Sequence, residues 1–495
     1  MNISKLVFVV YTLFSYCFDE IRSTSDPVVK TSCGPVAGLN DYGAFSFRGV
    51  PYALPPVGNL RWKPPTPLSK SQDTCWSGVY QAETFGNTCF QRDPYNSSMY
   101  MGSEDCLYLN VYTPSISRLK KKLPVMVWVH GGSLQKAKAN WPTYSPTSKL
   151  ANETNIVYVG MNYRLHAFGF MALKTLADVS PTGTSGNYGL MDVILAMKWV
   201  QENIQQFGGD RTNVTLFGQS SGGSIMFALL ASPLCQGLFR KSEAFEDNDI
   251  FMKNTGYSDV NCLYSLSADA VTISVPWDVY PYWAMCDLGE LPMMGHFDGA
   301  LIIVDGIVLK QPPFETWKMG TKVDVPCLIG TLANKNDYQP VPVDLKEWDW
   351  NKYTDYVGSK LSTFGNHDFT NMVSDLRANC PNDVLTSFAR KYFREPVYRY
   401  VAPTWPSQPV HPVNLPFSAS YSFNMWDVFA FFGSIDQYIN PMKESDIQYG
   451  DPATPIWNAN VTAIVSQNTN IPSTFHPDQC SFWNEAGFFA YGLTK

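Results

Sequence analysis

The stretch Phe217-Gly218-Gln219-Ser220-Ser221-Gly222-Gly223 decides the fold of this chain. It follows a short apolar run and precedes a helical pattern. In that context a Gly-x-Ser-x-Gly motif is typical of a nucleophile elbow, a sharp strand-to-helix turn that exposes a serine. Glycines two residues before and after the serine lack a Cβ, so strand and helix can meet closely, and Gly223 is expected to add further room. Ser220 is therefore the candidate nucleophile.

The segments before the elbow support this interpretation over an ordinary Gly/Ser-rich turn. Two short apolar runs, 124–129 and 156–159, suit buried parallel strands. The first ends in a Gly-rich turn at 130–133, where backbone N–H groups can converge to form an oxyanion hole. From 189 onward apolar residues recur at helical spacing until the glycines at 208–209. Strands that alternate with helices predict a mostly parallel sheet flanked by helices.

Taken together, the chain resembles the type-B carboxylesterase and cholinesterase family of α/β-hydrolases. Besides the elbow, the matching segments are Phe47-Arg48-Gly49-Val50-Pro51-Tyr52-Ala53, Leu60-Arg61-Trp62, Glu104-Asp105-Cys106-Leu107-Tyr108-Leu109-Asn110-Val111 and Gly186-Asn187-Tyr188-Gly189-Leu190-Met191-Asp192. The resemblance implies an α/β-hydrolase fold, with a central, mostly parallel sheet flanked by helices, in a single domain over 23–495.

Several residues receive an expected role from this resemblance. Gly132, Ser133 and Ser221 would supply the three N–H groups of the oxyanion hole, although a serine at 133 puts a Cβ into a crowded turn. The resemblance also implies two disulfides, Cys89–Cys106 and Cys380–Cys480. Because buried charges need partners, two ion pairs are expected, Arg61 with Glu104 and Arg164 with Asp192.

The catalytic base and acid of the family are both replaced. A serine hydroxyl needs a base within hydrogen-bond reach, normally a histidine oriented by a carboxylate. The position of that histidine holds Asn424, whose amide has no lone pair basic enough to take the proton. The position of the acid holds Lys335, and a cation there cannot support an imidazolium. Nearby groups remain as alternatives, namely Asp337, Asp427 and His411.

A strand of the family pattern is also expected to be missing beside the elbow. After 232–241 the family continues into a small apolar strand, whereas residues 242–249 show no strand pattern and 243–254 suggest the start of a helix. Such a loss would leave a gap in the central sheet.

Composition agrees with an exported globular protein. The chain has 495 residues, of which 45% are hydrophobic, and a net charge of −7 that disfavours nucleic acid as a partner. The apolar stretch 6–18 before Asp19 and Glu20 predicts a signal peptide over 1–22, hence a secreted product without a transmembrane segment. The Asn-x-Ser/Thr sequons are at Asn96, Asn152, Asn213 and Asn460, and Asn213 is disfavoured as a glycan site because it adjoins a strand expected to be buried.

Ten cysteines remain after removal of Cys17, and pairing is the default in an oxidising compartment. Cys33 and Cys75 are candidates for an additional bridge. Cys262 is expected to lack its family partner, and the pairing of Cys235, Cys286 and Cys327 stays open. No cysteine has metal-ligand spacing, so neither a metal nor another cofactor is expected.

Two function classes remain. One is a secreted carboxylic ester hydrolase with a degraded triad, and the other is a non-catalytic, neuroligin-like binding or adhesion protein. The expected partners are accordingly a small carboxylic ester or hydrophobic ligand, or a cell-surface protein. A choline ester is disfavoured because the loop 90–105 contains Tyr95 and Tyr100 but no tryptophan to bind a quaternary ammonium. A non-functional gene product would have the same sequence.

Overall fold

The structure is a computed structural model, and the residues it describes fall into several ranges. These are 26–69, 71, 73–93, 99–114, 121–235, 255, 259–274, 302–320, 323–333, 374–402, 426–432, 462–464, 478 and 480–481. The expected signal peptide, the segment 242–254 and the sequons at Asn96 and Asn460 therefore lie outside the described residues.

The strands are spread over the described ranges. In chain order they are β1 (Val28–Thr31), β2 (Gly34–Ala37), β3 (Leu39–Asp41), β4 (Ala44–Pro51), β5 (Tyr80–Gln81), β6 (Gln91–Arg92), β7 (Tyr100–Met101), β8 (Tyr108–Pro114), β9 (Leu123–Val129), β10 (Val157–Met161), β11 (Gly209–Gly218), β12 (Cys327–Leu332), β13 (Val397–Ala402) and β14 (Thr462–Ile464).

The largest sheet carries the elbow and has the strand order β11-β9-β10-β8-β4-β3. Strand β9 pairs in parallel with β10 and with β11, while β8 pairs antiparallel with β10 and β4. Strand β10 is buried along its whole length, as a continuous apolar run in a sheet covered on both faces requires. The strands predicted at 124–129 and 156–159 are confirmed as β9 and β10.

The α-helices surround these strands. In chain order they are α1 (Ser148–Thr154), α2 (His166–Phe170), α3 (Lys174–Asp178), α4 (Tyr188–Asn203), α5 (Ser221–Ala231), α6 (Val260–Ser265), α7 (Ala268–Ser274), α8 (Pro313–Lys318), α9 (Cys380–Tyr392) and α10 (Trp426–Phe432). The helix predicted from 189 is α4, and a short 3₁₀ turn, Ile204–Phe207, continues it to Gly208, whose φ of 87° ends the helix. No helix within the described residues is long and apolar enough to cross a membrane.

A second sheet, of order β12-β13-β14, is separate from the first, and all its described pairings are parallel. Among the described residues no strand lies between β11 and β12. Strand β11 is the edge of the larger sheet, and β12 is the edge of the smaller one. On β11 the side chain of Thr215 is exposed, and on β12 Leu328 is 59% exposed. The segment 242–249, where a strand is expected to be missing, lies outside the described residues, so the loss of that strand stays a prediction.

Strand β11 leads to the elbow, and the prediction that this strand is buried is wrong. Between Arg211 and Gly218, strand β11 has only exposed or half-buried residues, and its one strand neighbour among the described residues is β9. Asn213 is exposed within this strand, so burial does not disqualify its sequon.

Helices connect the two sheets. In α10, Phe432 packs edge-on against Trp128 of β9, with ring centroids 5.1 Å apart. The same aromatic cluster contains Leu332 of β12 and Ala402 of β13. Helices α5, α8 and α9 meet around the buried ring of Trp317, which lies 5.3 Å from Phe393. These side-chain contacts hold the two sheets together in the described part of the chain, where no backbone hydrogen bonds between strands join them.

Buried ion pairs and disulfides stabilise the chain around the sheet. Both predicted ion pairs are confirmed, with closest N–O distances of 2.5 Å for Arg61–Glu104 and 2.7 Å for Arg164–Asp192. Within the described part of the chain the disulfides are Cys33–Cys75, Cys89–Cys106 and Cys380–Cys480, and Cys262 is free there, as expected.

Candidate active site

Ser220 lies at a strained strand-to-helix turn. It follows the end of β11 by two residues and immediately precedes α5. Its backbone angles, φ 55° and ψ −127°, fall outside the regions that residues with a Cβ normally occupy. The residue is exposed, and its side chain makes no capping hydrogen bond to α5. This conformation is the one that a nucleophile elbow requires.

Two glycines permit the close contact between this turn and β9. A Cβ on Gly222 would lie 2.2 Å from the carbonyl oxygen of Val129, and one on Gly218 would lie 2.7 Å from the same atom. Both distances are far inside van der Waals contact, so no side chain fits at either position. By contrast, a Cβ on Gly223 would meet only the Gly218 carbonyl at 3.8 Å. The prediction that Gly223 provides room for packing is therefore wrong.

The chain after β9 forms a second strained turn, residues 131–139, which we call the Gly132 turn. Its φ angles are 109° at Gly132, 58° at Ser133 and 59° at Leu134. The Gly132 carbonyl accepts hydrogen bonds from the backbone N–H groups of Gln135 and Lys136, at 3.0 and 3.1 Å. Ser133 thus keeps its N–H but holds its Cβ in a left-handed conformation that favours glycine.

The elbow and the Gly132 turn are in direct contact. The Leu134 N–H donates to the Ser221 hydroxyl at 3.1 Å. The Tyr144 hydroxyl donates to the Gln219 side chain at 2.5 Å and accepts from the Gly131 N–H at 3.2 Å. The structure therefore brings together the segments of Gly132, Ser133 and Ser221, the residues to which the resemblance gives the oxyanion hole. Sequence reasoning missed Tyr144, because nothing in its local sequence distinguishes it from a packing residue.

The two described histidines, His130 and His166, are buried and held by packing and backbone hydrogen bonds. The His130 ring stacks on Tyr163 with centroids 4.4 Å apart, and its Nδ1 lies 2.7 Å from the Gly131 carbonyl. The Nε2 of His166 lies 2.8 Å from the Phe90 carbonyl. Burial lowers the pKa of each histidine to about 4, so both are neutral at physiological pH. Within the described residues, neither histidine hydrogen-bonds Ser220.

These low pKa values predict an acid-sensitive fold. In the unfolded chain each histidine has a pKa near 6.5, so between about pH 6.5 and 4 the unfolded state binds more protons than the folded state. Stability is therefore full above about pH 6.5 and falls as the pH is lowered, by up to about 3 kcal/mol per histidine. Burial raises the pKa of Asp305, which acts in the opposite direction. Urea unfolding at pH 7 and pH 5 measures the net effect.

The variant His166→Gln isolates one of the two contributions. It should lose less free energy of unfolding than the parent protein between pH 7 and pH 5, by about 2 kcal/mol. An equal loss in both proteins would contradict a neutral, buried His166.

The residues expected at the positions of the family base and acid lie just outside the described residues. Lys335 follows the described end of the β12 segment at Ala333 by two residues, and Asn424 precedes α10 by two. Helix α10 packs on the elbow strand, because Phe431 lies 5.5 Å from Phe217. The segment after Asn424 thus reaches the strand that leads to Ser220.

The alternative groups give no replacement triad within the described part of the chain. The carboxylate of Asp427 accepts hydrogen bonds from the Tyr400 hydroxyl at 3.0 Å and from the Val428 N–H at 2.9 Å. These hydrogen bonds place the Asp427 carboxylate at the start of α10. Asp337 and His411 lie outside the described residues, and the described residues contain no group of side chains suited to a metal ion.

In the loop 90–105, the ring of Tyr100 stacks on that of Phe90 with centroids 6.2 Å apart, which is a packing contact.

The elbow, the Gly132 turn and the helix-flanked sheet define a protein with the α/β-hydrolase fold. The carboxylesterase family model matches residues 25–243. Fumonisin B1 esterase of Sphingopyxis macrogoltabida is 33% identical over an alignment of 414 residues that covers 76% of this chain and 71% of that protein. The chain therefore belongs to the carboxylesterase family.

Two further comparisons bear on its function. Neurotactin of Drosophila melanogaster is 31% identical over 403 residues, which cover 74% of this chain but 46% of neurotactin, so the chain spans less than half the length of that relative. The solved structure of a PNB esterase matches with a TM-score of 0.72 and 26% identity, over 92% of this chain and 99% of the esterase.

Proposed function

We propose that this chain is a secreted, carboxylesterase-like protein that binds carboxylic esters or related hydrophobic ligands at the Ser220 elbow but hydrolyses them poorly or not at all. The observation that carries the proposal is the contrast between an intact elbow and an altered pair of catalytic positions. Ser220 has the exposed, strained conformation of a nucleophile, while the base and acid positions hold Asn424 and Lys335.

The known rate cost of losing a triad base supports impaired catalysis. Loss of the triad base in a serine hydrolase costs on the order of 10⁶ in turnover, whereas an oxyanion hole and substrate binding alone retain roughly 10³–10⁴ over the reaction in water. In this chain the Gly132 turn and Ser221 would provide that residual contribution. Binding without efficient turnover is the expected consequence.

Export is part of the same proposal. The signal peptide expected over 1–22 would direct the chain out of the cell, and the three disulfides found among the described residues are typical of an oxidising compartment. Asn152 is exposed on α1 and Asn213 on β11, so both sequons can be reached by a glycosylating enzyme.

The direct test is hydrolysis of 4-nitrophenyl acetate by the purified protein and by a Ser220→Ala control. We expect equal rates, because an unactivated serine adds nothing to the background reaction. An organophosphonate probe should leave Ser220 unlabelled for the same reason. Stoichiometric labelling of Ser220 would contradict the proposal, since it requires an activated hydroxyl.

A second candidate is a non-catalytic binding protein similar to the neuroligin-like members of the family. The observation that favours it is the similarity to neurotactin, whose name does not designate an esterase. Immobilised protein that captures a cell-surface partner, with equal capture by the Ser220→Ala variant, would support this function over ester binding.

A further inference from the structure

The Gly132 turn has a backbone that its surroundings must hold in place. In addition to Gly132, three of its residues with a Cβ have positive φ, at 58° (Ser133), 59° (Leu134) and 87° (Ala137). Each such conformation is unfavourable for a residue with a side chain, and it persists only where the surrounding structure over-determines it. The contacts that impose it therefore decide where the N–H groups beside Ser220 point.

One of these contacts is the amide of Gln91. Its Oε1 accepts from the Ala137 N–H at 2.8 Å, and its Nε2 donates to the Ala137 carbonyl at 3.0 Å. Gln91 is completely buried, and the same Nε2 donates to the Cys89 carbonyl at 2.9 Å. A single side chain thus pairs with both backbone groups of a strained residue, much as a neighbouring strand would.

His166 and Asn162 connect the same two segments. The His166 backbone N–H donates to the Leu134 carbonyl at 2.7 Å, while its ring Nε2 lies 2.8 Å from the Phe90 carbonyl. Asn162 accepts from the Ala139 N–H and donates to the Asn87 carbonyl, both at 2.8 Å. Gln91 and Asn162 through their side chains, and His166 through its backbone N–H and its ring, therefore link the Gly132 turn to residues 87–91, which we call the Cys89 segment.

The Cys89 segment is itself anchored to the centre of the sheet. Its disulfide joins Cys89 to Cys106, two residues before the start of β8. Strand β8 lies between β10 and β4. A continuous set of covalent and hydrogen bonds therefore runs from a central strand, through the Cys89 segment, to the turn that contacts Ser221.

His166 carries strain of its own in this arrangement. Its φ is 37°, and the residue is fully buried at the start of α2. Because the Phe90 carbonyl can only accept a hydrogen bond, Nε2 carries the proton, and the neutral ring is sufficient. The strained backbone orients one end of the residue toward the Gly132 turn and the other toward the Cys89 segment.

We propose that Gln91 and His166 are positioning residues that hold the Gly132 turn in its strained conformation by joining it to the disulfide-anchored Cys89 segment. Neither touches the reacting atoms; both fix the direction of the N–H groups that a bound carboxyl group would meet. The effect on ligand affinity rests on the proposed function, whereas the effect on the turn itself does not.

The test compares amide hydrogen exchange in peptides covering 131–139 in the full chain. Gln91→Met keeps the side-chain length but removes both hydrogen bonds to Ala137. Exchange there should become at least about tenfold faster, because two buried hydrogen bonds are lost. His166→Gly, which removes the ring and tolerates a positive φ, should accelerate exchange in the same peptides.

Asn203→Met is the matched control. Asn203 is also a buried amide that bonds two backbone groups, the Ser32 N–H and the Trp199 carbonyl, but it lies on α4 away from the Gly132 turn. Its loss should leave exchange in 131–139 within about twofold of the parent. Unchanged exchange in Gln91→Met, or equal acceleration in Asn203→Met, would overturn the proposal. If Gln91→Met does not fold, His166→Gly against the same control decides the question.

A second measurement separates this proposal from the proposed function. The dissociation constant for benzoate, a simple carboxylate probe, should rise about tenfold in Gln91→Met and stay unchanged in Asn203→Met. If the parent protein does not bind benzoate, the proposed ligand function is wrong, while hydrogen exchange still tests the positioning role. If benzoate binds equally to the parent and to Gln91→Met, the positioning residues do not control the site.

Discussion

Substitution of Asn424 by His together with Lys335 by Glu should leave ester hydrolysis within about tenfold of the Ser220→Ala background. The two changes supply the missing base and its orienting acid, and in an intact member of the family they should raise turnover by orders of magnitude. Catalysis also requires the triad to be held within about half an ångström of its productive geometry. Loss of the strand expected beside Ser220 would remove that support.

The two described sheets meet the site at their edge strands, which would leave the spacing of the catalytic positions poorly fixed if no strand joins them. Strand β11, which leads to Ser220, ends the larger sheet, and β12, which leads toward Lys335, ends the smaller one. The exposed side chains of Thr215 and Leu328 mark the two edges. Because no described strand joins them, the strand that leads to the nucleophile and the strand that leads toward the acid position belong to two separate sheets, and the contacts described between these sheets are made by packed helices.

Activity should appear when the apolar strand of the family is also inserted after Lys241. A strand between β11 and β12 would join the two sheets into one ladder and fix the spacing of the three catalytic positions. We expect kcat/KM for 4-nitrophenyl acetate to rise by about 10³ or more only when insertion and both substitutions are combined.

Three other proteins complete this experiment, namely the parent, the double variant and the insertion alone, each with a Ser220→Ala counterpart. The insertion alone should remain inactive, because it supplies no base. Strong activity from the two substitutions without the insertion would show that the sheets already hold the triad geometry, and that loss of function depends on two side chains.

The elbow and its strands could be predicted from the sequence because they depend on local patterns. The spacing of glycines around Ser220 and the apolar runs of β9 and β10 are each visible within a few residues. The ion pair Arg61–Glu104 followed from matching two segments of the family pattern. The exposure of β11 has no signal in its own residues, because it depends on whether a second strand pairs with its outer edge.

The contacts that hold the Gly132 turn also had no local signal. Gln91, Tyr144 and His166 lie in three separate segments, and each residue type has an ordinary role in packing or on a surface. Their function depends on hydrogen bonds formed only when those segments come together. Asn424 and Lys335 present the opposite case, since their identity was informative in sequence while their positions lie outside the described residues.

The largest effect on stability should come from Arg164→Met. Arg164 is 3% exposed and donates to the carboxylate of Asp192 through Nε at 2.9 Å and through Nη2 at 2.7 Å. Its Nη1 also donates to the Lys63 carbonyl at 2.9 Å. Removal of the guanidinium leaves a fully buried carboxylate without its counter-charge, which should cost about 3–5 kcal/mol of unfolding free energy.

The control for this prediction is Lys174→Met on α3. Lys174 forms an equally short ion pair, 2.7 Å from Asp178, but its side chain is 74% exposed. Solvent screens such a pair, so its loss should change stability by less than about 0.5 kcal/mol. Urea unfolding at pH 7 measures both variants against the parent. Equal shifts for Arg164→Met and Lys174→Met would contradict a structural role for the buried pair. The double variant Arg164→Met/Asp192→Leu should be more stable than Arg164→Met alone, because it removes the buried charge that makes the single substitution costly.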